Sequence, residues 1–442
     1  MSTRARVLVS LLLVEIMVLG TAAFVQWALG SPPEVQVVLL RVVMVSLLIF
    51  LAILFLRYFT LLWFAYLQHV ERTVSKRPES RALPPISVLV PAYNEAAVIE
   101  GALASLATLD YPEFEVIVVD DGSKDDTLRV AAAWEGQHGN GSFRVVTKRN
   151  GGKAAALNTG IALSKHPYLF CMDADSRLEP QVLRRSVMAL EDPSVGAVAG
   201  NVKVENREHL ITKLQALEYI EGLNMPRRAQ GFIAAVNIVP GPVGLFRREA
   251  LEEVGGYDTD TFAEDADLTL KLVGAGWKVV YEDTAVAWTE APESWRDLVQ
   301  QRYRWTRGIL QSLKKRKAMF LRPFPDFPLW LSAAEMAFEA IAWPILNVYA
   351  HLFFALVAVL FGAGELLLYW WVLLTLLDLV AALLTVSMER ESLVLIPFAL
   401  IYRFFFILFL DVVKTFAALE ELFNLGMGWE KVRRTAATQP TV

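Results

Sequence analysis

The stretch Ile86-Ser87-Val88-Leu89-Val90-Pro91-Ala92-Tyr93-Asn94-Glu95 decides the fold. A short apolar, β-branched run stops abruptly at polar residues, and residues 98–109 then take up helical spacing. The pattern recurs along the middle of the chain. Residues 116–119 run into Asp120-Asp121-Gly122-Ser123 and a helical stretch at 127–134; 144–146 precede a helix at 154–163; 168–172 run into Asp173-Ala174-Asp175 and a helix at 180–190. Strands separated by helices predict an α/β fold with a doubly wound, mostly parallel sheet from Pro84 to about Asp283. Ligands of such sheets sit beyond the carboxyl ends of the strands, so the polar residues after each run are the candidate site.

Outward from this core the composition changes. Of the 442 residues 55% are apolar and 20% charged, with mean hydropathy +0.40, and the excess lies before about residue 68 and after about residue 328. Residues 7–29 and 42–67 are each long enough for a hydrocarbon core that needs about 20 residues, with the turn-like Gly30-Ser31-Pro32-Pro33 between them. Arg4 and Arg6 before this hairpin, and Arg72, Lys76, Arg77 and Arg81 after it, place both ends and the middle domain in the cytoplasm. Past Lys314, Lys315, Arg316 and Lys317, further apolar runs occupy 330–361, 365–388 and 392–419. Three crossings would leave the C-terminus outside, whereas Lys431, Arg433 and Arg434 favour the inside, so one run is expected to be interfacial or re-entrant. The expected organisation is two membrane helices in 1–68, a cytosolic domain at 69–318 with an interfacial helix near 297–313, about three membrane or interfacial helices at 319–424, and a tail at 425–442.

Several function classes fall away. Cys171 is alone and closes no intrachain disulfide, the five histidines lack ligand spacing, and a net charge of −5 argues against a nucleic-acid-binding face. Asn150-Gly151-Gly152-Lys153 looks like a phosphate loop, but Thr147 stands where the Walker pattern needs glycine and Ala154 follows the lysine, so an ATPase reading fails.

The remaining motifs each admit two readings. Asp173 and Asp175, two apart at a strand end, place two carboxylates on one side where they could share a divalent cation, or form a solvated turn. Asp120 and Asp121 suit a base or ribose, or a turn and helix cap. Lys153 after two glycines at a helix start can meet a phosphate or remain solvated. Glu264 and Asp265 open an apolar periodic segment as capping acids or as a general base at a helix tip. Gln301, Arg304 and Trp305 share a face of a helix beside the membrane, which is also where a tryptophan anchors an interfacial helix.

Taken in order, Tyr93-Asn94-Glu95, Asp120-Asp121-Gly122-Ser123, Gly152-Lys153, Asp173-Ala174-Asp175, Ala263-Glu264-Asp265 and Gln301-Arg302-Tyr303-Arg304-Trp305 resemble the processive family 2 glycosyltransferases. These include cellulose, chitin and hyaluronan synthases. The layout of spans is most similar to bacterial poly-β-1,6-N-acetylglucosamine synthases. One departure is Ala263, where the family usually has threonine.

The resemblance implies a GT-A-type sheet set between transmembrane helices, in a multi-pass protein of the bacterial inner membrane with its catalytic domain in the cytoplasm. It implies an inverting enzyme that polymerises a β-linked polysaccharide from a UDP-sugar, UDP-GlcNAc favoured, and exports it; the alternative is transfer of one sugar to a lipid acceptor. Ala92, Tyr93, Glu95 and one of Asp120 and Asp121 would hold the uridine, with Lys153 near the phosphates and Asp173 and Asp175 on Mg²⁺ or Mn²⁺. Asp265, beside Glu264, would deprotonate the acceptor; Arg304 would steady the diphosphate, and Gln301 and Trp305 would form the acceptor end. The implied partners are the donor, the growing polysaccharide and the bilayer, with room for a small accessory membrane subunit. Glu335 and Glu339, one helical turn apart in an apolar span and followed by Trp343, Asn347 and Tyr349, line a polysaccharide path or lie solvated near the headgroups.

Overall fold

The computed structural model describes residues 30–74, 83–321, 327–361 and 364–423, with the single positions 19, 23, 26 and 27. The expected span at 7–29 and the tail at 425–442 lie almost wholly or wholly outside these residues.

Nine strands form one sheet in the order β3-β4-β2-β1-β5-β8-β7-β9-β6. Its first half is the part legible in the sequence: β1 (Ile86–Ala92), β2 (Phe114–Asp120), β4 (Gly141–Thr147) and β5 (Tyr168–Cys171) run parallel, with β3 (Gly136–His138) antiparallel at the edge. All seven residues of β1 are buried, because helices cover both faces, and that is why such strands read as unbroken apolar runs. A side chain such as Leu89 or Ile117 contributes about 1.5–3 kcal/mol by full burial. The second half, β6 (Ser176–Leu178), β7 (Val195–Val204), β8 (Gly244–Arg247) and β9 (Lys278–Thr289), is mixed: β8 pairs antiparallel with β5 and β7, β6 antiparallel with β9, and β7 parallel with β9.

Two features of the sheet position the site. Ala92, Asp120 and Thr147 stand in one row across β1, β2 and β4, so three strands end level. The chain leaves β1 for β2 on one side and returns to β5 on the other, and a crevice opens where the direction of winding reverses. Asp173 and Asp175 lie at this crevice, in the turn between β5 and β6 rather than on a strand. Their proximity comes from the turn, so the period-two argument for it is corrected.

Four helices among the described residues are long and apolar enough to cross a membrane: Leu51–Arg72, Leu329–Ala355, Leu367–Met388 and Leu393–Leu422. The first belongs to a single helix, Pro33–Val74. The last is broken, with a 3-10 turn at Leu393–Phe398, a π turn at Tyr402–Ile407 and an α-helix only at Leu408–Leu422. Both of its ends touch the sheet domain. Just before it, Glu389 accepts from Arg228 Nη2 at 2.8 Å and Glu391 from Arg207 Nη1 at 2.6 Å. At its far end, Glu421 accepts from Arg307 Nε at 2.8 Å. Leu395, Ala399, Tyr402, Phe406 and Leu410 are buried in the sheet domain's own core cluster, while Leu393, Val394, Leu400, Ile401 and Phe405 are exposed. The segment thus starts and finishes on the same domain, with one face packed on protein and an apolar face outward.

Candidate active site

The site assembles from the level strand ends. After β1 the chain turns through Asn94 at φ +52°, and Asn94 N–H donates to Ser123 Oγ (2.9 Å) while its Oδ1 accepts from Lys124 N–H (2.7 Å). Glu95 N–H donates to Thr127 Oγ1 at 2.7 Å, so the loops after β1 and β2 are stitched together with Tyr93 and Glu95 half-buried between them. Ala92 is buried, and its carbonyl accepts from Asp121 N–H at 2.8 Å. That residue belongs to the frame of the pocket.

Asp120 and Asp121 are both buried and do different work. Asp120 accepts from Thr147 Oγ1 at 2.8 Å, the residue beside it in the strand register. Asp121 is taken up by the glycine loop: its carboxylate accepts from Gly151 N–H (3.0 Å), Gly152 N–H (2.7 Å) and Lys148 Nζ (2.6 Å). Gly152 sits at φ +88°, a conformation that favours glycine, and the helix Lys153–Leu163 starts directly after it. Asp121 therefore fixes where Lys153 emerges.

Lys153 points at acids. Its Nζ lies 2.6 Å from Asp173 Oδ1 and 2.9 Å from Glu264 Oε1. Gly241 closes this cluster from above: a β-carbon there would stand 2.8 Å from Asp173 Oδ2 and 2.8 Å from Lys153 Nζ. The carboxylate of Asp173 lies under a loop with no side chain at Gly241, and Asp175 adds a second carboxylate two residues on; hard oxygen donors of this kind suit a divalent metal. Burial and the neighbouring Asp175 raise Asp173 from its ordinary value, against the pull of Lys153.

Glu264 and Asp265 open the helix Glu264–Gly274 and titrate apart. Burial works against the charge on Glu264, but Lys153, and after it Arg304, outweigh it and hold the carboxyl below the usual range. Asp265 is raised to about 6 by burial and then by the charge of Glu264. One acid is held ionised while its neighbour is poised near neutrality, the division expected of a pair in which one member moves a proton.

The helix Trp295–Lys315 passes beside this tip, capped by Ser294 Oγ accepting from Asp297 N–H. Arg304, on this helix, adds to the positive charge that holds the Glu264 carboxyl below the usual range. Arg302 Nε donates to Glu218 Oε1 at 2.9 Å, and the guanidinium lies 4.3 Å from the centre of the Trp305 ring. Gln301 is buried and bonded to Arg302, and does not line the cavity that Trp305 faces. Trp305 and Arg302 line that cavity together, and Gln301 stands behind them, bonded to Arg302.

That cavity, about 240 Å³, runs between the sheet domain and the apolar helices, lined by Trp305, Arg302, Glu335, Glu339, Trp343 and Tyr402 among others. Asn237 and Ile238 lie on it, and the next residues, Val239, Pro240 and Gly241, line the pocket of Asp173 and Asp265. One stretch of chain thus walls both. Asn347 does not line it but donates to Asp411 Oδ2 at 2.6 Å, and Tyr349 is exposed on the outer surface. Sequence reasoning missed Gly241, which closes over Asp173, and Arg57 and Arg227, which line the cavity; the Pro240-Gly241-Pro242 turn was the one local signal.

A second group of acids, Asp258, Asp260 and Asp267, lies close together. Lys271, Lys315 and Arg316 already neutralise it, Arg316 Nε donating to Asp267 Oδ1 at 2.7 Å. It ties the end of the Trp295 helix to the Glu264 helix.

Residues 84–308 match the family described as glycosyltransferase-like family 2. A poly-β-1,6-N-acetyl-D-glucosamine synthase of Staphylococcus epidermidis is 33% identical over 243 residues, 54% of this chain and 58% of the relative. The enzyme of the same name from Staphylococcus aureus is 32% identical over 250 residues, 56% of this chain and 60% of the relative. The matches therefore span little more than half the length of those relatives. Among solved structures, a mannosyltransferase of Pyrobaculum calidifontis in complex with GDP-mannose and Mn²⁺ superposes with a TM-score of 0.58 at 24% identity, covering 84% of this chain and 97% of its own, a likeness of fold.

Proposed function

The chain belongs to the glycosyltransferase-like family 2, and from that premise we propose that it polymerises a β-linked polysaccharide from a UDP-sugar and passes the product into the membrane. UDP-N-acetylglucosamine is the donor that the name of the related synthases favours. The observation that carries the reading is the junction at residues 237–241. The pocket holding Asp265 shares a wall with a cavity leading between the apolar helices, so a chain end presented to the base has a path behind it.

The chemistry follows from the residues. Tyr93 and Glu95 hold the uridine, with Asp120 at the level strand ends beneath them. Asp265 takes the proton of the acceptor hydroxyl as that oxygen attacks the anomeric carbon from the face opposite UDP, and inversion converts an α-linked donor into a β-linked product. Lys153 and Arg304 keep Glu264 charged, and they are the cations available to the departing diphosphate. A divalent cation, Mg²⁺ or Mn²⁺, held by Asp173 and Asp175 would neutralise charge on that diphosphate. Trp305, its ring braced by Arg302, offers an apolar face to the acceptor sugar.

The attachment of both ends of Leu393–Leu422 to the sheet domain supports an interfacial reading of that segment and a topology with the C-terminus on the side of the catalytic domain. The helices Trp343–Phe361 and Gly364–Met388 go out and return, and the last segment stays at the surface. The matched residues 84–308 fall within the catalytic unit proposed at 69–318. Purified protein in lipid, given a panel of UDP-sugars with Mg²⁺ or Mn²⁺, tests the reading: release of UDP together with a long polymer from one donor supports it, and single-sugar addition to lipid replaces it.

A further inference from the structure

Resting on the reading of Asp265 as the base, we propose that Gln311 is a positioning residue for it: Gln311 ties the loop leading into Asp265 to Glu421, so that the helix Leu408–Leu422 sets where the catalytic tip sits. The side-chain amide of Gln311 is used at both ends. Its Oε1 accepts from Phe262 N–H at 3.2 Å, three residues before Asp265, and its Nε2 donates to Glu421 Oε2 at 3.3 Å.

The tip needs holding from outside. The helix Glu264–Gly274 starts after Ala263, which stands at the N-cap and has no side-chain oxygen to offer the first turn, where such an oxygen ordinarily fixes a helix start. The helix Trp295–Lys315 holds the loop instead, through Gln311 at Phe262 and through Gly308, whose approach to Ala263 leaves no room for a β-carbon. Glu421 is a firm anchor for the other end. Arg307 Nε (2.8 Å) and Nη2 (2.7 Å) both reach Glu421 Oε2, Arg307 is 4% exposed, and the adjoining Glu420 accepts from Tyr303 Oη. Tyr303, Arg307 and Gln311 follow one another at intervals of four, so a single face of their helix carries all of these contacts. Asn347 of the helix Trp343–Phe361 donates to Asp411 on Leu408–Leu422 at 2.6 Å, which carries the tie on into the apolar helices.

The chemistry of the bridge calls for an amide. A carboxamide donates and accepts, so Gln311 can serve a backbone N–H and a carboxylate at once. A carboxylate at 311 would still hold Phe262 N–H but would set like charge against Glu421, and a methionine of the same length would hold neither. The effect on the reaction runs through Asp265. A base must lie within hydrogen-bond reach of the proton it takes, and a misplacement of about 1 Å can cost about 100-fold, so a tie on the loop just before the base is read out in turnover.

The test joins amide hydrogen exchange to steady-state sugar transfer, both on full-length protein in lipid nanodiscs. Gln311→Met should speed exchange at the Phe262 amide about tenfold, lower kcat about tenfold and leave KM for the donor within about twofold. Gln311→Glu alone should also lower kcat. Combining Gln311→Glu with Glu421→Gln exchanges amide and carboxylate across the bridge without changing the total charge, and the amide at 421 can then donate back to the carboxylate at 311. That double variant should recover the slow exchange at Phe262 and most of kcat. Unchanged exchange in Gln311→Met, unchanged kcat, a loss carried by donor KM, or no recovery in the double variant overturns the proposal. A parent that adds only one sugar removes the polymerase reading and not this one, because the same split between kcat and KM is read on that product. A parent whose turnover survives Asp265→Asn removes the base, and the positioning role falls with it.

Discussion

Gly308 approaches Ala263 so closely that a β-carbon on Gly308 would stand 2.5 Å from the Ala263 nitrogen and 2.6 Å from its β-carbon. The helix carrying Arg302, Arg304 and Trp305 is thereby seated directly on the tip carrying Glu264 and Asp265. Gly308→Ala should destabilise the domain by about 1–3 kcal/mol through overpacking and reduce sugar transfer, because the tip and helix must separate. Ala263→Thr, which restores the residue usual in the family, should have the same effect here. Thermal unfolding and transfer assays check both, and a silent Ala263→Thr would show that the contact yields easily.

Asp265 predicts a pH profile. A base must be deprotonated to accept a proton, and burial with the Glu264 charge lifts this carboxyl to about 6. Turnover should be level above about pH 7 and fall about tenfold per unit below 6. Glu264→Gln removes the repelling charge, so the acid limb should move to lower pH, while Asp265→Asn should lower turnover about 100-fold or more with UDP binding retained. An unmoved limb in Glu264→Gln would separate the profile from this pair.

The parallel half of the fold and its ligand edge were legible because strands covered on both faces must be apolar throughout, and the residues after them need not be. β8 was not, since Gly244–Arg247 pairs with β5 and β7 through contacts distant in sequence. The acids Asp173 and Asp175 were found by spacing, yet a turn brings them together. Helix-face arithmetic put Gln301 with Trp305, but it could not show that the buried Glu218 draws Arg302 across the Trp305 ring. Gly241 was invisible because its role exists only once its loop folds over Asp173. Hydropathy reads Leu393–Leu422 as a candidate crossing and carries no sign of the face that packs on the sheet domain.

Metal dependence is the third expectation. Asp175→Ala should weaken UDP binding measured with Mn²⁺ or Mg²⁺ far more than binding measured without metal, and EDTA should silence the parent. Full turnover in EDTA would remove Asp173 and Asp175 from a metal role.

The C-terminus should be reached from the side of the catalytic domain. A single cysteine placed after residue 435, with Cys171 changed to alanine, should resist a membrane-impermeant thiol reagent added outside intact cells and react once the membrane is opened. Labelling in intact cells would mean that Leu393–Leu422 crosses the bilayer.

Product length at low donor conversion tests the central proposal most directly. Purified protein in lipid is supplied with excess UDP-N-acetylglucosamine and divalent cation, and the product is sized when only a small fraction of the donor is spent. If the cavity beside the Asp265 pocket keeps the chain, long β-linked polymer should already be present while most protein molecules have released none. Products that lengthen together, one sugar at a time, or that stop at a single lipid-linked sugar, would contradict it.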